Sequence, residues 1–288
     1  MALKKKVIFD CDNTMSLKDR DVDDGLALLY LLGRKDVDLA GITATYGNSS
    51  IQDVYENTMA MLKSFNINDI PVFKGAEKEQ DRICEAAAYL ARAAAEEPGK
   101  ITLLATGSLS NLYGAYLMDN NFFNNLKQIV LMGGITAPLL INHVDLDELN
   151  FSCDAEAAYH VLNSNSDVTI LSGNTCLQAF FQKNELDELK HKNPVYSYIA
   201  DNIEPWYDYN KRTFGIYGFY NWDIAAAVYL TNPELFDERY LNVKSTIEDL
   251  RKGYIKYQEE GSAKINIPGR ITDVVEFKKV IFEAWAWK

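Results

Sequence analysis

The chain reads as an α/β protein, a single domain over residues 1–288 built on an open, mostly parallel sheet flanked by helices. Short apolar runs of strand length alternate with longer runs of helical period, and a strand–helix alternation of this kind implies parallel strands covered on both faces. No internal repeat, low-complexity tract or linker interrupts the 288 residues, a length that one α/β core can serve. Polar and acidic residues gather where the apolar runs stop, which is where open sheets of this class place their sites.

The elements follow in order. Lys6–Phe9 is a short apolar strand, and the GLALLYLL run gives a buried helix over Asp24–Leu32. Val37–Thr45 is the next strand, turned by Tyr46-Gly47-Asn48 into a helix over about Ile51–Leu62. Pro71–Phe73 is a brief strand, followed by an alanine-rich helix from about Cys84 to Ala95. Strand Ile101–Ala105 ends at Thr106-Gly107-Ser108, and a helix begins near Leu109. Ile129–Met132 is a strand broken by Gly133-Gly134, and a long polar loop leads to helix Asp154–Leu162 and strand Val168–Leu171. Glu185–Tyr220 reads as helical and aromatic, and Asp223–Leu230 as an apolar helix with Asp223 near its cap. The remainder to Trp287 reads as a β-rich stretch and a terminal helix.

Composition excludes several functions. With 29 Lys and Arg against 41 Asp and Glu, the formal net charge is -12. Such a surface repels nucleic-acid phosphate and anionic lipid. Cys11, Cys84, Cys153 and Cys176 lack metal-finger spacing and are expected to be reduced thiols. The opening MALKKKVIFD runs from lysines straight into a strand, and no apolar run reaches the roughly 18 residues of a membrane span. A cytoplasmic protein is the expectation.

The candidate chemistry is acidic. Asp10 and Asp12 close the first strand on one side, with Cys11 on the other, and Asp23-Asp24 open the helix that follows. Strand-end carboxylates beside a helix start point to a metal or to catalysis; the plain alternative is a set of caps and turn formers. An oxygen-rich cluster of this kind suits a hard cation such as Ca²⁺ or Mg²⁺. Asp19 and Asp21, in the intervening loop, read as solvated charges. Asn221-Trp222-Asp223 reads either as a helix cap beside a core tryptophan or as a cation ligand beside a stacking platform. Thr106 offers a carbonyl at a strand end, and Asn142, Glu148 and Asn150 sit in a loop able to bond hydroxyls, though such residues are usually solvated. Trp206, Tyr207 and Tyr209 form a cluster with two readings, core packing or a closing flap. His143, beside the polar loop, is the histidine expected nearest a site.

Two families share parts of this pattern. IFDCDNT carries the DxDxT signature of the haloacid-dehalogenase-like phosphatases, which would make Asp10 a nucleophile; the late acidic pair that those enzymes use for Mg²⁺ has no counterpart. Most of the chain resembles instead the inosine–uridine-preferring nucleoside hydrolase family. Asp10, Asp12, Asp23 and Asp24 fit its opening DxDPGxDD motif, and GITATYGNSS, ATGSLSNL, IVLMGG, the Asn142…Glu148-Leu149-Asn150 loop, FSCDAEAA and WDIAAAVYL follow in the family's order. The sequence departs from the motif in its ten residues between Asp12 and Asp23, a longer spacer without the family's Pro-Gly. Trp222 stands where the inosine–uridine branch has a histidine, a feature similar to the purine-specific branch.

The resemblance implies a calcium-dependent hydrolase of the N-glycosidic bond of ribonucleosides, leaning toward purines and commonly a homodimer or homotetramer. It implies Ca²⁺ on Asp12, Asp24, the Thr106 carbonyl and Asp223, with Asp12 as general base. It places Asp23, Asn150 and Asn48 on the ribose, and Asn142 and Glu148 on the 5'-hydroxyl. Trp222 would stack on the base, with Trp206 or Tyr209 as the second aromatic wall. A non-catalytic nucleoside- or ribose-binding protein on the same scaffold is the alternative if the long spacer misplaces Asp12.

Overall fold

The computed structural model describes residues 4–188, 190–258 and 265–288. The first three residues and residues 259–264, within the expected β-rich stretch, lie outside that description, as does Leu189. Nine strands form one sheet: β1 (Lys5–Cys11), β2 (Val37–Ala44), β3 (Val72–Lys74), β4 (Ile101–Ala105), β5 (Gln128–Met132), β6 (Val168–Leu171), β7 (Tyr240–Val243), β8 (Tyr257–Gln258) and β9 (Ile265–Asn266). Their order across the sheet is β8-β7-β9-β6-β5-β4-β1-β2-β3. From β9 to β3 every neighbouring pair is parallel, while β7 and β8 add an antiparallel edge.

This order places the site. The chain builds outward from β1 to β2 and β3 on one side, then returns to lay β4, β5 and β6 on the other. The strand order therefore reverses between β1 and β4, and the crevice outside the carboxyl ends of such strands is where open sheets bind ligands. Those ends carry Asp10, Cys11 and Asp12 on β1 and Thr106 after β4.

The helices of eight or more residues are α1 (Asp23–Gly33), α2 (Ile51–Ser64), α3 (Glu85–Glu96), α4 (Ser110–Met118), α5 (Ala155–Leu162), α6 (Pro194–Phe214), α7 (Trp222–Thr231) and α8 (Val274–Trp285). They cover both faces and form two cores. Val7, Phe9 and Cys11 of β1 pack with Leu26, Val228 and Trp285 on one face. Ile8 packs with Leu90, Leu112 and Val161 on the other, the period-two alternation a buried strand requires. Trp285 is fully buried with its indole N–H donated to the Leu26 carbonyl at 3.1 Å, so α1 is clamped from behind.

The aromatic stretch is less uniform than the expected helix. Lys183–Asp187 forms one short helix and α6 a second that starts on Pro194, whose fixed φ suits a first turn. Gly215, at φ 67°, ends α6 in a left-handed cap. Gly218–Tyr220 then returns as a strand antiparallel to Phe180–Gln182. Among the described residues no helix is long and apolar enough to cross a membrane.

Candidate active site

The end of β1 holds two carboxylates in different circumstances. Asp10 is fully buried; its Oδ1 accepts from Thr43 Oγ1 at 2.5 Å and Asn111 Nδ2 at 2.8 Å. Burial pushes its carboxyl up to about 7 against those two hydrogen bonds. It takes no part in the cavity wall. The phosphatase reading of Asp10 finds no support here: its bonds are to Thr43 and Asn111 beneath the sheet end, away from the carboxylate trio.

Asp12 is held from the β2–α2 turn. Its Oδ2 accepts the Asn48 backbone N–H at 2.5 Å, and Asn48 Nδ2 stands 3.4 Å from Oδ1. Only glycine allows this approach at position 47, where a Cβ would lie 2.0 Å from Asp12 Oδ2. Burial pushes the Asp12 carboxyl up to about 6, against the opposing influence of the neighbouring Asp24 carboxyl.

The first turn of α1 supplies Asp23 and Asp24, where the helix dipole favours negative charge. Asp24 Oδ1 accepts from Thr106 Oγ1 at 2.6 Å, while its Oδ2 is buried without a partner. Asp23 Oδ2 accepts the Asp223 backbone N–H at 3.3 Å, joining the starts of α1 and α7. Carboxylate oxygens of Asp23, Asp24 and Asp223 all lie within 4.8 Å of one another. Burial raises all three, and with neighbouring carboxylates as the second cause it carries Asp24 and Asp223 well above the usual carboxylate range. Three converging carboxylates, one with an orphaned oxygen, form a site that fits a cation and offers it only oxygen donors.

Beside this cluster lies a cavity of about 270 Å³. Asp23 and Asp223 are in its wall, with Asn48, Thr106, Glu148 and Asn150, whereas Asp12 and Asp24 lie behind it. The ion-sized trio thus includes Asp23, and Asp12 joins it through Asp24. Asn150 Nδ2 donates to the Thr106 carbonyl at 2.9 Å and the Met132 carbonyl at 3.0 Å, tying the loop to the ends of β4 and β5. Glu148 accepts backbone N–H groups from Gly134, Phe151 and Ser152 at 2.9 to 3.1 Å. Burial still pushes its carboxyl up to about 7.

Trp206, Tyr209 and Trp222 complete the wall. Trp206 and Tyr209 stack on each other with centroids 4.9 Å apart and planes 7° from parallel. Trp222 leans on Tyr220 at 5.2 Å.

Two expected contributors are elsewhere. Asn142 and His143 form the exposed tip of the hairpin Leu140–Asp145, both with positive φ. The Asn142 amide is engaged by the Phe214 carbonyl at 2.9 Å, so neither residue reaches the cavity. Conversely, Asp19, Arg20 and Asp21 do line it. Asp19 is a part-exposed charge paired with Arg212 at 2.9 Å at the surface, as expected of a solvated residue, whereas Asp21 departs from that reading and its carboxyl lies beside that of Asp23. The spacing of Asp21 two residues before Asp23 was the available signal.

Comparison with known proteins agrees with this arrangement. Residues 7–279 match the family model for the inosine-uridine preferring nucleoside hydrolases. The chain is 27% identical over 248 residues to uridine nucleosidase 1 of Arabidopsis thaliana, covering 76% of this chain and 73% of that one. It is 26% identical over 272 residues to the pyrimidine-specific ribonucleoside hydrolase RihA of Citrobacter koseri, covering 83% and 84%. Its fold superposes on a plant nucleoside hydrolase, PpNRh1, with a TM-score of 0.88 at 21% identity over 99% of both chains. A purine-preferring ribonucleoside hydrolase from Gardnerella vaginalis gives 0.85 at 20% identity over 98% of both. With its family match spanning nearly the whole sheet and the carboxylate cluster at the switch point, the chain belongs to the inosine-uridine preferring nucleoside hydrolase family and is an N-ribosyl hydrolase.

Proposed function

We propose that this enzyme is a calcium-dependent ribonucleoside hydrolase that leans toward purines and releases ribose and free base. The observation that carries the reading is the buried, unpartnered oxygen of Asp24 among three converging carboxylates, at the edge of a cavity with aromatic walls. Asp24 and Asp223 of the trio hold the ion, with Asp12 beside Asp24 and the Thr106 carbonyl completing the set, while Asp23, the trio's third member, is left to the ribose; the oxygen-only donors support Ca²⁺. Bound there, the ion supplies Lewis acidity toward water and toward ribose hydroxyls.

The protein's own residues do the rest. Asp12 takes the proton of the water that attacks C1', oriented for this by the Asn48 backbone N–H. Asp23 and Asn150 hold the ribose hydroxyls with support from Asn48, and Glu148 lies at the 5' end. The acidic wall stabilises a cationic, oxocarbenium-like transition state and disfavours a 5'-phosphate. Trp222, Trp206 and Tyr209 provide flat surfaces for the base, and their area supports the purine preference. Trp222 has no acidic ring proton to give the departing base; stacking on it raises the proton affinity of the base, and the proton comes from solvent or another donor. A cytoplasmic homodimer or homotetramer completes the reading; light scattering on the purified protein tests the assembly.

One experiment tests the core of it. Inosine, guanosine, adenosine, uridine, cytidine and one phosphomonoester are incubated with the enzyme, with and without chelator. Expected are free base and ribose, faster from purine nucleosides, lost on chelation and restored by Ca²⁺. Fastest turnover of uridine, the base in the name of the Arabidopsis relative, overturns the purine preference alone. Tight nucleoside binding without turnover over hours favours a binding protein, and phosphate release from the monoester a phosphatase.

A further inference from the structure

Beside Glu148 and Asn150 the cavity wall runs through Met132, Ile135, Leu139, Leu149 and Gly173. Short contacts hold this stretch together. The Met132 carbonyl accepts from Asn150 Nδ2 at 3.0 Å, and the Gly173 backbone N–H donates to the Gly134 carbonyl at 2.9 Å. A Cβ on Gly173 would lie 3.2 Å from both Ile135 Cγ2 and Leu139 Cδ2, so two apolar side chains close over that glycine. The wall next to the loop that serves the 5' end of the ribose is aliphatic.

A 5'-hydroxyl placed against this wall needs an acceptor for its proton, and the acceptors are taken. A carboxylate offers about four lone-pair positions. On Glu148, Oε1 accepts from Gly134 and Phe151 and Oε2 from Phe151 and Ser152, all at 2.9 to 3.1 Å. The Gly253 backbone covers the same group, since a Cβ there would lie 2.7 Å from Oε2. Glu148 thus serves the start of the short helix Asn150–Cys153 and has no position left for a ligand. Backbone carbonyls are committed too. Ile135 accepts from the Ile255 N–H at 2.8 Å, Leu139 from Leu146 at 2.9 Å, Leu149 from Cys153 at 2.9 Å and Gly173 from Leu177 at 3.1 Å. The Ile135 N–H is engaged by the Gly253 carbonyl at 2.7 Å, and Asn142 is tied to Phe214 outside the cavity. A hydroxyl buried against such a wall loses its hydrogen bonds to water without replacement, whereas an apolar group gains contact.

We infer that the preferred substrates are ribonucleosides whose 5' carbon carries an apolar group in place of the hydroxyl, as in 5'-deoxy- and 5'-alkylthio-ribonucleosides. The inference rests on the nucleoside reading above and deepens it at the 5' end. The reaction itself is unchanged. The oxygen of water bonds to C1' and its proton goes to Asp12, while the C1'–N bond breaks and the base leaves with the electron pair and takes up a proton. The products are the free base and a 5-deoxy- or 5-alkylthio-ribose.

The test compares kcat/KM for inosine, 5'-deoxyinosine and 5'-methylthioinosine, which share one leaving base. Both analogues are expected to exceed inosine by about 10- to 100-fold. The gain should sit in KM, because the 5' group is the same in the ground state and the transition state. Leu139→Asn puts an amide of nearly equal size in the wall and should bring the ratios to within about threefold of unity. Ratios unchanged in that variant overturn the inference, and the wild-type comparison stands even if the variant does not fold. Either analogue at or below the rate of inosine also overturns it, and makes the exposed Asp147, which lines the cavity beside Glu148, the partner of the hydroxyl. If none of the three is hydrolysed, the functional reading fails and this inference with it; inosine cleaved at least as fast as the analogues removes this inference alone.

Discussion

At the residue scale, neighbouring carboxylates are given different environments. Asp10 is pinned by Thr43 and Asn111 under the sheet end, Asp12 is gripped by the Asn48 backbone, and Asp24 is left with one free oxygen. Only Asp12 combines a fixed orientation with a link to the metal-sized trio. Asp12→Asn keeps the size but cannot accept the proton of water. We expect kcat for inosine to fall by roughly 10²- to 10⁴-fold at saturating Ca²⁺; a fall below threefold in initial-rate assays rules Asp12 out as the base. Trp222→Ala is expected to slow inosine more than p-nitrophenyl riboside, whose leaving group needs no protonation, and equal losses make Trp222 a packing residue. Asp23, Asp24 and Asp223 were legible in the sequence because a carboxylate at a strand end or first helical turn is a local signal.

At the element scale, the long spacer between Asp12 and α1 is the feature that sequence described least well. Its length reads as a surface excursion, yet it is tied down at several points. Asn13 Oδ1 accepts from the Met15 backbone at 3.1 Å, Thr14 Oγ1 donates to the Asp21 carbonyl at 2.9 Å, and Asn57 holds the Asn13 carbonyl at 3.1 Å. Met15 is fully buried against α1. These anchors return the chain so that Asp21 faces the cavity and Asp23 starts the helix, which is how the ten-residue spacer is accommodated without separating Asp12 from Asp24. Gly25 is where loop and helix meet: a Cβ there would lie 2.4 Å from Met15 Cβ and 2.6 Å from its sulfur. Gly25→Ala must therefore displace Met15, and overpacking of this kind costs about 1–3 kcal/mol. Urea denaturation should show that loss against the small gain that alanine gives at an unstrained helical position. A more stable Gly25→Ala would mean that the loop yields freely and does not fix the cavity wall. The parallel strands and most helices were legible because apolar period is local; the order of the strands across the sheet was not, and the hairpin that takes Asn142 from the cavity depends on a contact with Phe214, 72 residues away.

For the molecule as a whole, the fold brings Asp10, Asp12, Asp23, Asp24, Asp223 and Glu148 together in burial, and every one is raised, with desolvation the first cause. This gives the stability a definite pH dependence. In the unfolded chain these groups titrate near 4. In the folded, metal-free chain Asp12 titrates at about 6, and Asp10 and Glu148 at about 7. Between these limits the folded state holds more protons than the unfolded, so stability falls as pH rises, from near pH 4 until the folded values are passed. A cation among the carboxylates reverses the sense by favouring their charged forms. In chelator, the melting temperature should therefore drop between pH 5 and pH 8. Ca²⁺ should raise it most at pH 8, where no proton competes. At a hundredfold excess over its dissociation constant the ion contributes about 2.7 kcal/mol, or roughly 4–5 °C for a chain of 288 residues. Differential scanning fluorimetry at both pH values, with Ca²⁺ and with chelator, gives all four numbers. A melting temperature that rises with pH in chelator, or a calcium shift no larger at pH 8 than at pH 5, would mean that the cluster is not the place where the fold takes up its metal.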